Sequence, residues 1–418
     1  MNLELPNPKY GLDGLFCGAV AALLAWGLVM VASASVAVGE KLGGSSMFFF
    51  WRQLSFIGVG GIACWIMFCV PTGFWQSNRW WLLLGALLLL ITVAIAGVKV
   101  NGARRWIDIA GFFRLQASEP VRLAFIVWLA GHIVKRQAEL QTSLAGFLNP
   151  LLFLLPILGL FLMEPDLGAT VILLAVTVLM LFLGGARLIY VGGLGLLAGG
   201  VVSVLIMTVG YRLQRVISFT DPWKDALGSG FQLTQSLIAV GRGEWFGVGL
   251  GNSVQKLMYL PEMHTDFIFA ILAEEFGLAG VLMLIGLFAT VVWRGFRIGQ
   301  VAEQLDRRFS AYLCYGLAGW LGLQALINMG VNMGALPTKG LTLPLISYGG
   351  SSLVTVSLML GLMLRVDYEN RAALALLPKA RTRTLSGKAV QTAPTGLRDW
   401  LSGLRGSLSA LRSQKDPA

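Results

Sequence analysis

Charge is what this chain has least of. Only 13% of its 418 residues are charged, against 56% hydrophobic, whereas about a quarter of a soluble domain is charged. That excludes an ordinary water-soluble fold, and apolar runs of about 20 residues, enough to cross a bilayer, recur along the sequence. Two histidines are too few for a histidine-built metal site. Cys17, Cys64, Cys69 and Cys314 lie in apolar runs at unrelated spacings, so they read as small buried hydrophobes and not as a disulfide framework. GxSxG, HExxH and Walker motifs are absent, and with them the chemistries those motifs serve. The Gly-rich pieces GVGLGNS and ISYGGSS follow no strand pattern, so they suit sharp turns and close helix approach instead of nucleotide binding. The opening residues MNLELPNPKYGLDG lack a basic start and a small-residue cleavage site, so the first apolar run is expected to stay as a helix.

What is present is an all-α, polytopic pattern. Ten transmembrane helices are expected, at 14–36, 53–70, 80–98, 118–134, 147–163, 168–183, 188–209, 267–292, 309–329 and 345–365. Together they make a membrane domain over 14–367. A short N-terminus (1–13) precedes it, and a long loop (210–266) separates the seventh and eighth spans. Trp80 and Trp81 suit an interface anchor. FQLTQSLIAVG within the loop is amphipathic and Gly-flanked, as a surface helix would be. An even number of spans puts both termini on one side. Loops there carry Arg79, Lys135, Arg136, Arg187, Arg294, Arg297, Arg307 and Arg308, which makes that side cytoplasmic. Lys99, Arg104, Arg105 and Arg114 resist this rule from one short loop on the other side and invite a functional explanation. No internal repeat is apparent, which counts against an inverted-repeat transporter.

The net charge of +11 is concentrated near the end of the chain, in a basic tail (368–418). Within it Leu397, Trp400, Leu401, Leu404, Leu408 and Leu411 fall at helical spacing, and Arg398, Arg405 and Arg412 line another face. A basic amphipathic helix on the inner leaflet and a solvated tail with accidental periodicity both fit. Membrane lipids are the natural partner of such charge. Nucleic acid is not, because no aromatic–basic module accompanies it.

Few residues can carry chemistry. Asp266 stands where an apolar helix is expected to begin, beside His264 and Glu262. It reads as a helix N-cap, as a general base at the membrane surface, or as both. Glu274 and Glu275 lie inside the expected span, where a charge lines a cavity or pairs with a cation. Glu119 and Arg122, three apart, share a helix face and could pair. Glu164 and Asp166 flank Pro165 at a tight turn, where capping is a safer reading than binding a cation. Arg104, Arg105, Lys256 and Lys339 are the candidates for holding an anion such as a pyrophosphate, solvated surface charge being the plain reading of each.

NGARRWI, EPDLGAT, the run from GSGFQLTQ to LPEMHTDFIFAILAEEFG, and LPTKGLTLPLISYGGSS together resemble the SEDS family (shape, elongation, division and sporulation). The likeness runs from about Leu12 to Arg371 and is nearer the division branch than the elongation branch. It implies a peptidoglycan glycosyltransferase of the bacterial cytoplasmic membrane that polymerises lipid II on the outer face. The family's essential aspartate matches Asp266, which would deprotonate the acceptor hydroxyl as undecaprenyl pyrophosphate leaves with inversion. Arg104, Arg105, Glu119, Arg122, Lys256, His264, Lys339 and Ser347 are the implied substrate- or pyrophosphate-contacting residues, with room for a divalent cation, Mg or Mn. The implied partners are a class B penicillin-binding protein, the septal transpeptidase, and other divisome proteins. The family's Q-P-x-E-x-x-K pattern reads here Gln116, Ala117, Ser118, Glu119, Pro120, Val121, Arg122, so arginine replaces lysine and alters the geometry of any phosphate contact. A lipid II flippase and a non-catalytic divisome scaffold are the rival functions. Transport favours ionisable groups at mid-membrane, and an Asp266 at the edge favours the enzyme.

Overall fold

The computed structural model describes residues 11–100, 103–109, 113–207, 218–257, 259–337 and 340–376. Lys339 and the tail's expected amphipathic helix lie outside them. Each expected span is a helix: α1 (Gly14–Ala34), α3 (Phe48–Cys69), α5 (Arg79–Ala96), α6 (Ser118–Lys135), α8 (Leu144–Met163), α9 (Leu167–Leu183), α10 (Leu188–Met207), α12 (Ile268–Gln304), α13 (Arg308–Asn332) and α14 (Gly350–Leu376). Short helices α2 (Val36–Gly43), α4 (Thr72–Ser77), α7 (Gln137–Thr142) and α11 (Phe231–Arg242) connect them. The last is the amphipathic segment expected in the long loop. Among the described residues seven helices are long and apolar enough to cross a membrane, namely α1, α3, α5, α8, α12, α13 and α14. The chain is a helical, polytopic membrane protein.

Burial ranks the helices. The apolar windows of α13 and α14 are 78% buried while those of α1, α3, α5, α8 and α12 reach 22–39%, so the first pair forms the centre and the others face outward. α6 joins the centre, with Trp128 and Trp320 of α13 both fully enclosed. One end of the bundle is tied by charge. Asp13 caps α1 through the Phe16 N–H (3.0 Å) and accepts from Arg294 Nε (2.7 Å). Its own N–H donates to Asp367 (3.1 Å). Glu369 of α14 takes the Thr72 N–H (3.0 Å) and Arg365 Nε (2.6 Å), and pairs with Arg307.

Three departures from expectation have physical causes. The polar loop after α5 is a three-stranded antiparallel sheet, β1 (Val98–Val100), β2 (Ala103–Ile109) and β3 (Phe113–Gln116), in the order β1-β2-β3. Trp106 lies opposite Val98 on one side and Gln116 on the other, so the fold is not purely α. α14 begins at Gly350 and not at 345, because Leu345 adopts a left-handed φ of 65° and Ser347 Oγ accepts the Leu343 N–H (2.8 Å), closing a turn. α12 runs on to Gln304 beyond the apolar stretch, since backbone bonding continues where hydropathy stops.

The feature that orders this end of the molecule is a break in α12. At Gly277 the backbone takes φ 63° and ψ −162°, a combination open essentially to glycine alone. The break forfeits the helical bonds from 278 to 274 and from 279 to 275, exposing two N–H and two C=O groups. Residues 244–249 supply a partner to all four. The N–H of Leu278 donates to the Glu244 carbonyl (2.9 Å) and that of Ala279 to Trp245 (3.0 Å). The carbonyls of Glu274 and Glu275 accept from Val248 and Gly249 (3.0 Å each). The loop is thus spliced into the helix, as a buried backbone group demands. Both Gly247 and Gly277 are obligatory: a Cβ on Gly247 would come within 2.2 Å of the Glu275 carbonyl oxygen, and one on Gly277 within 2.4 Å of the Gly247 nitrogen.

Two ion pairs on buried carboxylates lock the splice, one with a buried lysine and one with an exposed arginine. Glu275 accepts from Lys256 Nζ (3.1 Å) and from Ser33 Oγ of α1 (2.7 Å). Glu274 accepts from Arg242 (3.3 Å), from Ser253 Oγ and from the Val254 N–H (3.1 Å). Gly277→Ala is expected to destabilise by about 1–3 kcal/mol from backbone strain alone, with a lower midpoint in detergent melts. Gly286→Ala, an open helical site in α12, should gain about 0.5–1 kcal/mol. Lys256→Met strands the Glu275 carboxylate and should lose about 3–5 kcal/mol. Adding Glu275→Gln should recover much of that; in a double-mutant cycle on the same melts, losses that simply add would show that the pair is not coupled.

Candidate active site

The splice delivers the chain to Asp266. Between Lys256 and α12 the backbone makes turns, with the Leu260 N–H on the Gln255 carbonyl (3.2 Å) and the Phe267 N–H on Glu262 (3.2 Å). Glu262 has a φ of 53°, a strained conformation for a non-glycine residue. The helix cap falls on Phe267, which makes no side-chain cap bond. Capping, the plain reading of Asp266, is therefore not its role. Its backbone carbonyl instead accepts the side-chain amides of Asn328 (3.0 Å) and Asn332 (3.1 Å). Its half-buried side chain faces the segment at Gly340, where a Cβ would lie 3.1 Å from Oδ2.

Those amides belong to a stripe that sequence reasoning missed. Gln324, Asn328 and Asn332 recur every fourth residue on one buried face of α13. Gln324 Nε2 donates to the Thr342 carbonyl (3.0 Å) and Asn328 Nδ2 also reaches that of Leu341. Three amides at i, i+4 and i+8 in an apolar helix were the available signal. They hold two non-helical segments, 264–267 and 340–349, side by side. His264 completes the seam: its carbonyl accepts the Tyr348 N–H (2.9 Å) and its ring packs on Phe49 and Tyr348, with centroids 4.7 and 5.6 Å apart.

The structure sorts the other candidates. Burial holds the His264 imidazole below its usual pKa against the opposing pull of Glu262, so it is neutral at pH 7 and a weak anion ligand. Lys256 is 9% exposed and engaged with Glu275, and Ser347 is closed into its turn. Both side chains are thus engaged within the protein. Glu119 and Arg122 form a buried pair (2.5 Å), with Arg122 also bonded to the Ser118 carbonyl (3.2 Å) and Gln324 (3.3 Å) and stacked 4.6 Å over Trp320. That is the structural ion pair, a brace between α6 and α13. Arg104 is exposed on β2 with one bond to the Ile95 carbonyl (3.2 Å). Arg105 reaches back to the carbonyls of Glu164 (2.8 Å) and Pro165.

Asp166 caps α9 through the Ala169 N–H (3.0 Å), and its other oxygen takes Ser118 Oγ (2.9 Å) and Gln116 Nε2 (3.1 Å). Glu164, 2% exposed, has no hydrogen-bond partner on either oxygen among the described residues. Burial first and the Asp166 charge second push its pKa up to about 8, against Arg105. A carboxyl held neutral near pH 7 beside a carboxylate already satisfied is a poor donor set for a divalent cation. Among the described residues no group of three or more His, Cys, Asp or Glu could hold one.

These parts share one end of the bundle. Ser351 Oγ accepts the Gln116 N–H (3.0 Å), tying α14 to the sheet. Leu341 packs on Gly168 at the start of α9. An apolar cavity of about 120 Å³ opens beside it, lined by Gly168, Val171, Ile327, Leu336, Pro337 and Leu341. The arrangement places a carboxylate on a braced loop next to an apolar recess, with an arginine-bearing sheet tied to α9 and α14 nearby.

Comparison with known proteins agrees over nearly the whole membrane domain. Residues 14–372 match the family of FtsW, RodA and SpoVE, described as "Cell cycle protein". A Pseudomonas fluorescens protein named "Probable peptidoglycan glycosyltransferase FtsW" is 49% identical over 366 residues, 87% of this chain and 89% of its own. One of the same name from Alkalilimnicola ehrlichii is 50% identical over 377 residues, 89% and 93% of the two chains. Among solved structures, a chain of the assembly described as "Structural coordination of polymerization and crosslinking by a peptidoglycan synthase complex" superposes with a TM-score of 0.71 at 29% identity, covering 86% of this chain and 98% of its own. The rod shape determining protein RodA of Thermus thermophilus gives 0.64 at 28%, with the same coverage. The chain belongs to the FtsW, RodA and SpoVE family of cell cycle proteins.

Proposed function

We propose that the protein is a peptidoglycan glycosyltransferase that polymerises lipid II during septal cell-wall synthesis, with Asp266 as its general base. The observation that carries the reading is the fixing of Asp266 by two side-chain amides on its own carbonyl, which leaves its carboxylate at the edge of the bundle beside Gly340. A general base needs a positioned carboxylate that can take a proton as the new bond forms. On this reading the acceptor hydroxyl gives its proton to Asp266 while its oxygen attacks the anomeric carbon. The bond to undecaprenyl pyrophosphate breaks with inversion, and a cation such as the exposed Arg104 meets the departing charge. The apolar recess at Leu341 suits the lipid end of the donor.

All ten long helices cross the bilayer on this reading, including α6 with its internal ion pair. Both termini are cytoplasmic, and the Asp266 end faces outward at the septum. The partner is a class B penicillin-binding protein, which would crosslink the strand as it emerges. Support comes from the superposed synthase complex, in which polymerization and crosslinking are coordinated. The flippase reading is weaker. The buried charges of α6 and α12 are taken up in ion pairs, and breaking them to pass a head group would strand a buried charge at about 3–5 kcal/mol each.

Purified protein with its cognate penicillin-binding protein is expected to polymerise labelled lipid II, and Asp266→Asn to cut the rate by about 10²–10⁴-fold at an unchanged melting midpoint. Equal product from both would remove Asp266 from the mechanism. No product from the wild type would favour the transporter or scaffold. A second expectation concerns Glu164. A carboxyl raised from 4.5 to about 8 binds an extra proton in the folded state between those values, so stability is highest at low pH and falls as pH rises through that window. Glu164→Gln should flatten the fall in melts taken between about pH 5 and 9; an identical slope in the variant would show that Glu164 is ionised in the folded protein.

A further inference from the structure

The loop spliced into α12 has an apolar tip that neither the fold nor the proposed chemistry uses. Trp245 and Phe246 are 69% and 83% exposed, and Leu250 is 54% exposed. Solvated loops in water seldom carry such a group together. Its height in the molecule follows from the backbone bonds that fix it. The carbonyls of Glu244 and Trp245 accept from Leu278 and Ala279, and α12 runs as regular helix from there to Arg294. Sixteen residues of helix rise about 24 Å. Arg294 is bound to Asp13, the cap of α1, and so marks the charged end of the bundle. α1 gives a second ruler: its 21 residues rise about 31 Å, and Ser33 in its last turn touches Glu275. Measured from that end, the two place the splice about 24–31 Å along, in the far leaflet of a hydrocarbon core about 30 Å thick and close to its outer edge.

We propose that Trp245 and Phe246 are seated in the interfacial layer of the leaflet at the Asp266 end, with their rings against lipid acyl chains. Tryptophan favours that depth because its ring has an apolar body and a polar N–H. The occupant follows from continuity as well as depth. Leu278, Leu282 and Met283 of α12, next along from the splice, are 40%, 58% and 59% exposed on a helix whose outward surface meets lipid. Arg242, bonded to Glu274 at the same level, lies within reach of phosphate head groups, as a basic residue at a membrane edge does. The bilayer thereby holds the outside of the loop that Lys256 and Arg242 hold from within.

A nitroxide at Phe246→Cys, in vesicles of phosphatidylethanolamine and phosphatidylglycerol, reads this depth through collisions with oxygen, which favours lipid, and with a water-soluble nickel chelate. Leu282→Cys supplies the lipid-facing comparison and Leu227→Cys, 91% exposed in the long loop, the aqueous one. Protein with only its native cysteines, labelled in parallel, gives the background to subtract. Trp245→Cys stands in should the first variant fold poorly. The oxygen-to-nickel ratio at 246 is expected to match that at 282 and exceed that at 227 severalfold. A ratio equal to that at 227 would place the tip in water and overturn the proposal. Protection from both reagents would overturn it too, by showing that protein covers the tip.

Discussion

The four backbone bonds exchanged between α12 and residues 244–249 are the constraint on which the active end depends. A break inside a membrane helix is tolerable only if something returns the lost partners. Here the returning groups come from a loop at one particular register, because two donors and two acceptors must meet their counterparts together. Register is therefore set by backbone stoichiometry. Side chains then fix it: Glu274 and Glu275 sit on successive positions at the break and each finds a cation on the loop side. Such pairs are weak evidence for stability in themselves. Their effect is to leave no neighbouring register that satisfies both charges.

Everything the site needs is hung from that anchor. Nine residues separate Lys256 from Asp266, and the far end of this short span is caught by Asn328 and Asn332. The aspartate is thus held through its main chain from both sides, while its side chain turns to the 340–349 segment. That segment is irregular too, with a left-handed Leu345 whose carbonyl lies so close to Gly27 of α1 that a Cβ there would approach to 2.4 Å. Non-helical backbone at membrane depth survives only where protein surrounds it. The amide stripe of α13 serves both irregular segments at once.

Much of this was legible in the sequence, and the limits have physical causes. Seven of the long helices follow from hydropathy alone, because a bilayer-length run of apolar residues has few alternatives. Asp166 capping α9 and the Glu119–Arg122 pair follow from local spacing. The sheet was missed although Asn101–Gly102 between VKV and ARRWI is a strong hairpin signal; surrounding polarity hid it. The break at Gly277 left no trace in the pattern, since one glycine in an apolar helix is commonplace and only the loop's donors and acceptors reveal its φ. Lys256 misleads for a similar reason. From sequence it is a surface cation, and only its long-range contact with Glu275 and Ser33 makes it a buried brace.

The placement of Asp266 also fits the demand of a reaction on a lipid-linked sugar. The donor in such a step has an apolar tail, a pyrophosphate and a sugar in series, so its site must pass from dry to wet within a short distance. The Asp266 end does so: an apolar recess at Gly168 and Leu341, carbonyl-lined irregular backbone beside it, and an arginine-bearing sheet tied to α9 and α14. An unpaired carboxylate buried in the bundle tends to be held neutral, as Glu164 is, and could not serve as a base near pH 7. One on a solvated loop would keep its charge but lose its position. For the proposed base, a half-buried position at the boundary, on backbone fixed by a broken helix, gives place without full burial.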